Sequence, residues 1–188
     1  MSPSEYYVRE ATSNDLKFAQ QATDVINAAY NTHDGWTTEA SIVSGQFTLE
    51  DTQNFIKHSH QGEFIQLLVF KRDEEGNDAE VVGSMLIVPF PDLEEKPTPG
   101  EAMITRFAIS PNHQSKGLGR LLIESSLKTM KSVGYERCSL RVFENRPEVL
   151  SWYSKLGFKD TSERRDFKTP AGKKLLSNVQ FVIMKKDL

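Results

Sequence analysis

This 188-residue chain is short of cysteine and of basic charge: it has one Cys, and its Lys and Arg are outnumbered by Asp and Glu. The single Cys138 cannot form an internal disulfide, so the core has to hold the fold, and a reducing compartment, cytosol or nucleus, is expected. A formal net charge of -3 excludes a broad basic field able to grip a phosphate backbone, so nucleic acid is not expected as a partner. No stretch approaches the roughly 18 apolar residues that cross a bilayer. The opening Met1-Ser2-Pro3-Ser4-Glu5 has no basic or apolar signal region, so neither membrane attachment nor secretion is expected. The ending Lys185-Lys186-Asp187-Leu188 falls short of a four-residue retention signal. His33, His58, His60 and His113 show no metal-ligand spacing, so no metal is expected.

What is present suits one folded domain over residues 1–188: 38% hydrophobic and 26% charged residues, on a chain long enough for one core. A β-prone run at 6–10 precedes a helix for which Ser13-Asn14-Asp15 offers a cap and Phe18, Ala22, Val25, Ile26 and Ala29 offer helical spacing. After an irregular stretch from 30 to 45, a second helix is expected over 49–58. Runs 64–71 and 80–88 flank a polar turn and should pair antiparallel. Pro89, Pro91, Pro97 and Pro99 then mark a surface loop, because each removes a ladder donor. The spacing next predicts a strand over 102–109 and a helix over 119–133 closed by Gly134. A strand over 138–143 and a helix from Pro147 to about Leu156, closed by Gly157, follow. A last hairpin joins 158–167 to 179–184 through Thr169-Pro170-Ala171-Gly172. The class is therefore α/β, a mixed sheet with antiparallel hairpins and at least one crossover helix.

Gln114-Ser115-Lys116-Gly117-Leu118-Gly119-Arg120 lies between a strand and a helix. A helix start presents unpaired N–H groups and roughly half a positive charge from the macrodipole, which suits a diphosphate, and Gly117 and Gly119 allow close approach. A mononucleotide loop would need Gly-Lys-Ser/Thr, but here the lysine precedes the glycine; a dinucleotide fingerprint would need a third glycine near the start of the fold. Taken alone, the two glycines are equally compatible with a tight turn.

This segment resembles the acetyl-CoA loop of the GNAT superfamily of N-acetyltransferases, Gln/Arg-x-x-Gly-x-Gly/Ala, and the strand Ile104-Thr105-Arg106-Phe107-Ala108-Ile109 precedes it as that pattern requires. A second hallmark follows, Asn145 before a helix that carries Tyr153 and ends in Gly157-Phe158. The resemblance runs over most of the chain. It implies a GNAT acyl-CoA N-acyltransferase fold, with a mostly antiparallel mixed central sheet flanked by helices. It implies acetyl-CoA as cosubstrate, and an amine of a small molecule or protein as acceptor, attacking directly in a ternary complex.

The resemblance further implies that the loop from Gln114, Ser115, Lys116 and Gly117 to Leu118, Gly119 and Arg120 holds the pyrophosphate. Backbone groups of Phe107, Ala108 and Ile109, on a bulged fourth strand, would hold the pantetheine arm together with Asn145. Tyr153 would protonate the leaving thiolate, since a phenol of pKa about 10 is still protonated near neutrality. Read from the residues alone, Tyr153 also fits a core-facing helix position beside Val149 and Leu156, and Asn145 also fits a helix cap.

Relatives that place Glu or His on the fourth strand as a base have Met103 and Thr105 here, and neither can serve. Glu101, Glu39, Asp34 and His33 are the alternatives. Trp36, Thr37 and Glu39 are candidates for the acceptor wall, with Trp36 equally able to anchor its loop. Cys138 has no activating histidine nearby and reads as a structural thiol. A catalytically silent acetyl-CoA-binding module with the same fold is the alternative reading, and a homodimer is left open.

Overall fold

The computed structural model describes residues 5–31, 43–44, 46–59, 64–90, 97–167, 174–175 and 179–188, with backbone alone for 43–44 and 174–175. One seven-stranded mixed sheet organises them. Its strands are β1 (Tyr6–Glu10), β2 (Ile65–Arg72), β3 (Asp78–Pro89), β4 (Glu101–Ile109), β5 (Arg137–Phe143), β6 (Lys159–Asp166) and β7 (Gln180–Asp187), in the order β1-β2-β3-β4-β5-β7-β6. All neighbours pair antiparallel except β4 and β5. Two-residue strands Val43–Ser44 and Lys174–Leu175 form a separate pair.

The helices are α1 (Ala19–Asn31), α2 (Leu49–Lys57), α3 (Leu118–Ser132) and α4 (Pro147–Lys155). Helices α3 and α4 cover one face of the sheet. There Leu118, Leu122, Ile123, Met130, Val149 and Tyr153 pack on Ile104, Phe107, Ile109, Cys138 and Leu140. The other face takes α1 and α2, through Ala22 and Ile56 against Leu68 and Phe70, and through Val25, Ile26 and Ala29 against Ala108. Central β2 and β3 are covered on both sides, which explains their near-continuous apolar runs. Edge strand β6 (KDTSERRD) is charged and largely exposed, a composition that discourages pairing with another chain.

Several expected boundaries move. Residues 13–18 form a 3-10 helix ahead of α1, and the cap is Thr12, whose N–H and hydroxyl both donate to the Asp15 carboxylate (2.8 and 3.0 Å). Two orphan donors thereby find one acceptor, which favours Thr12 over Ser13. Pro89 lies within β3, opposite Ala102, at the end of the strand where a missing ladder donor is tolerated. The α3 helix opens at Leu118 because Gly117, at φ +77°, turns the chain there. Strand β7 continues three residues past Met184 to Asp187, since Lys185, Lys186 and Asp187 still face β5. Gly134 and Gly157 close α3 and α4 as expected. The expected turn at 169–172 lies outside the described residues.

Candidate functional site

The sheet opens between β4 and β5. These parallel strands pair only at Glu101 with Arg137, Ala102 with Cys138 and Met103 with Ser139. Beyond Met103 the edge of β4 facing β5 has no strand partner among the described residues. On its other edge β4 carries a bulge, because Ser84 faces Ala108 while Leu86 faces Thr105. Three steps on β4 therefore match two on β3, and the surplus is absorbed at Arg106, which takes φ +52°. The bulge turns Arg106 toward Phe47 and Phe55 on the side of α1 and α2, whereas Ile104 and Phe107 join the core under α3. Phe107, the next residue along the bulge, stacks on Trp152 with ring centroids 6.1 Å apart.

The mouth of this cleft lies where β4 runs into α3. Gln114 Nε2 donates to the Ile109 carbonyl (3.4 Å), tying the turn to the strand end. Ser115 and Gly117 are both left-handed, at φ +62° and +77°. A Cβ on Gly117 would meet nothing within 4 Å, so glycine there answers a backbone requirement. Gly119 has a different reason from the expected conformational one: its φ is ordinary, and a Cβ would come within 3.3 Å of Phe107 Cζ. Leu118 turns its side chain into the core, leaving only its amide to the turn. Among the described residues, none of the amide N–H groups of residues 114–120 has a protein acceptor; the helix ladder begins with Leu121 N–H donating to Gly117 O (3.0 Å). The amides are thus available in a row at the positive end of a 15-residue helix.

Lys116 reaches back over β1, its Nζ donating to the Tyr6 hydroxyl (3.0 Å), while the same hydroxyl lies 3.3 Å from His113 Nδ1. Arg120 pairs with Glu124 (2.7 Å) one turn along α3. Asn145 is exposed in the turn after β5. It does not cap α4, whose N-cap is Arg146 without a side-chain cap bond.

Tyr153 is buried on the core side of α4, against Trp152 and Phe158 (4.8 and 5.6 Å between centroids). Its hydroxyl has no hydrogen-bond partner among the described residues. Burial, with a smaller contribution from Cys138, pushes the phenol pKa up, so it is protonated at neutral pH. The buried Cys138 thiol is likewise pushed up by desolvation, as a structural thiol should be.

Glu101 is engaged by two cations. Burial acts to raise its pKa, but charge-assisted bonds from Lys185 and Arg137 (both 2.8 Å) outweigh this and hold the carboxyl below its ordinary value. It clamps the closed end of the cleft across β4, β5 and β7. Met103 is buried with Phe90 and Ile183, and β4 offers no other carboxylate or imidazole. Trp36, Thr37 and Glu39, with Asp34 and His33, lie outside the described residues. No group of three or more metal-ligating side chains occurs among the described residues, and no helix there is long and apolar enough to cross a membrane. A depression between β1 and the 3-10 turn is lined by Arg9, Asp15 and Asp78, which already satisfy one another: Arg9 pairs with both carboxylates at 2.7 Å.

Sequence reasoning overlooked Arg106. An arginine in the middle of the apolar run Ile104-Thr105-Arg106-Phe107-Ala108-Ile109 was the visible signal, since strict alternation would have buried it among aliphatic side chains.

Comparison with known proteins agrees with this geometry. The chain is 26% identical over 87 residues to the Bacillus subtilis spermine/spermidine N(1)-acetyltransferase, covering 46% of this chain and 57% of that protein. It is 30% identical over 67 residues to the Escherichia coli [ribosomal protein bS18]-alanine N-acetyltransferase, covering 36% and 45%. The chain thus spans about half the length of the curated relatives it matches. Its fold matches a Salmonella typhimurium protein solved with its cofactor acetyl-CoA, at a TM-score of 0.69, 18% identity and coverage of 98% and 95%. The model of the acetyltransferase (GNAT) family matches residues 27–158, well over half of the chain, and the chain belongs to that family.

Proposed function

We propose that this protein is an N-acetyltransferase that moves the acetyl group of acetyl-CoA to a primary amine. The observation that carries the reading is the row of backbone amides at residues 114–120, without acceptors among the described residues, at the mouth of a cleft whose β4 edge has no strand partner among them. The fit is chemical: amides at a helix start suit a diphosphate, and an open strand edge suits the amide-rich pantetheine arm. Acetyl-CoA supplies an activated thioester. Within the reading, residues 115–120 bind the pyrophosphate through their amides, while Gln114 steadies the turn through Ile109. The open edge of β4 from Phe107 through Ala108 to Ile109, together with Asn145, orients the arm. Tyr153 holds the proton destined for the departing sulfur; its burial and its hydroxyl, unengaged among the described residues, support that role. Cys138, buried and protonated, gives no support to an acyl-cysteine step, so the amine attacks directly.

Trp36, Thr37 and Glu39 are proposed as acceptor-facing, on the strength of the sequence resemblance. A cytosolic location is part of the reading, supported by the free thiol. Incubation with acetyl-CoA and a panel of amines, following release of free coenzyme A thiol, tests it. Amine-dependent thiol release is expected; inactivity on every amine would count against the proposal.

A further inference from the structure

We propose that Arg106 is the anion-binding residue of the acceptor site, and that the amine acetylated here is a small molecule bearing a carboxylate, of the amino-acid class. This rests on reading the cleft as an acetyltransferase site. The bulge in β4 places the Arg106 side chain on the α1 side, next to the point where β4 and β5 part. Its Cζ lies 4.7 Å from the ring centre of Phe47 and 4.4 Å from that of Phe55. Nη1 is buried, and among the described residues it has no hydrogen-bond partner.

A guanidinium has five donors and stays charged in proteins. Taking it out of water costs several kcal/mol, whereas aromatic faces return only about 0.5–2 kcal/mol. Desolvation is accordingly the largest influence on Arg106 and depresses its pKa; Asp51 opposes this from a distance and Tyr30 contributes less. No ion pair to Arg106 is formed among the described residues. Other half-buried cations do have carboxylates, as Arg9 has Asp15 and Lys185 has Glu101.

A carboxylate arriving with the acceptor would supply what the described residues do not, two acceptor oxygens matched to the guanidinium fork. It would also set the amine a few ångströms from the anion, as in an amino acid. A polyamine fits badly, because its second ammonium would meet the same cation in a desolvated site.

The test compares kcat/KM for the free proteinogenic amino acids and for their carboxamides, in wild type, Arg106→Met and Arg106→Lys. Wild type should favour acids over carboxamides by about 100-fold, the worth of a charge-assisted pair. Arg106→Met should erase that ratio through KM for the acids, with acetyl-CoA affinity unchanged, and Arg106→Lys should restore part of it. The ratio is the readout because the methionine also changes packing beneath Phe47 and Phe55. A wild-type ratio near unity, a ratio untouched by Arg106→Met, or better turnover of spermidine or of peptide amines would overturn the proposal. If no amine is acetylated, thermal melts decide separately. Stabilisation by the acids, absent with carboxamides and lost in Arg106→Met, keeps the anion site and removes acetyl transfer. No such stabilisation removes the anion site.

Discussion

A phenol buried among aromatic rings is held protonated, and one whose oxygen makes no protein hydrogen bond is free to donate to a ligand. Both hold for Tyr153 within the described residues. Tyr153→Phe should therefore lower kcat by roughly 10²- to 10⁴-fold, the usual worth of a general acid. It should leave the KM for acetyl-CoA near its wild-type value, and because the ring still fills its place, stability should change by less than about 1 kcal/mol. Steady-state kinetics with thermal melts on the same samples check this, and an unchanged kcat would remove Tyr153 from the chemistry. Glu101 behaves in the opposite way. Its carboxyl titrates below the ordinary value near 4.5, so the stability it contributes is complete above that pH and is lost as pH falls through the depressed folded value. Asp15 acts in the same direction, since Arg9 and Thr12 outweigh its burial. Glu101→Gln should cost about 1–3 kcal/mol at neutral pH and flatten the acid fall of the melting temperature. Melting curves from pH 3 to pH 7 would show it; a wild-type curve flat below about pH 4.5 would contradict it. At this scale Tyr153 and the loop glycines were picked out by their resemblance to the GNAT pattern, since spacing alone also fits a core tyrosine and a tight turn. The sequence concealed the clamp on Glu101, because Lys185 lies 84 positions away and only the closing strand brings it there.

At the scale of the element, the junction of β4 with α3 has two glycines with two duties, which one mutation pair separates. Gly117→Ala forces a side chain into left-handed backbone, at a cost of about 1–2 kcal/mol, in the turn that presents the amides. Gly76→Ala, at φ +89° in the β2–β3 turn and equally free of steric neighbours, should cost about as much stability. Calorimetric titration should show acetyl-CoA affinity falling about tenfold in Gly117→Ala, the worth of about 1.4 kcal/mol, and unchanged in Gly76→Ala. Equal affinities in the two variants would mean that the turn does not hold the cofactor. Most of these elements were legible because period and punctuation agree, as with Leu122, Ile123 and Met130 along α3 and Gly134 after it. The bulge was not legible. Nothing local in Thr105-Arg106-Phe107 reveals that β3 runs one residue short opposite it, because register belongs to the pair of strands.

At the scale of the whole molecule, the sheet is open at one place and clamped beside it. Glu101, Arg137 and Lys185 close β4, β5 and β7 at one end, and beyond the third paired position the register of β4 with β5 ends. Helix α3 then delivers its amino end to that opening, and the crossover it makes is what allows β4 and β5 to run parallel at all. Class and crossover could be read from the order of elements. The insertion of β7 between β5 and β6 could not, since hairpin pairing alone leaves that edge undecided. The claim on which the account depends is that the amides at the start of α3 receive a diphosphate. Backbone amide NMR during titration with coenzyme A tests it most directly. The account predicts the largest shifts, toward stronger hydrogen bonding, at residues 115–120, with smaller ones along β4 at Phe107 to Ile109. Saturating coenzyme A that leaves the 115–120 amides unmoved would contradict it.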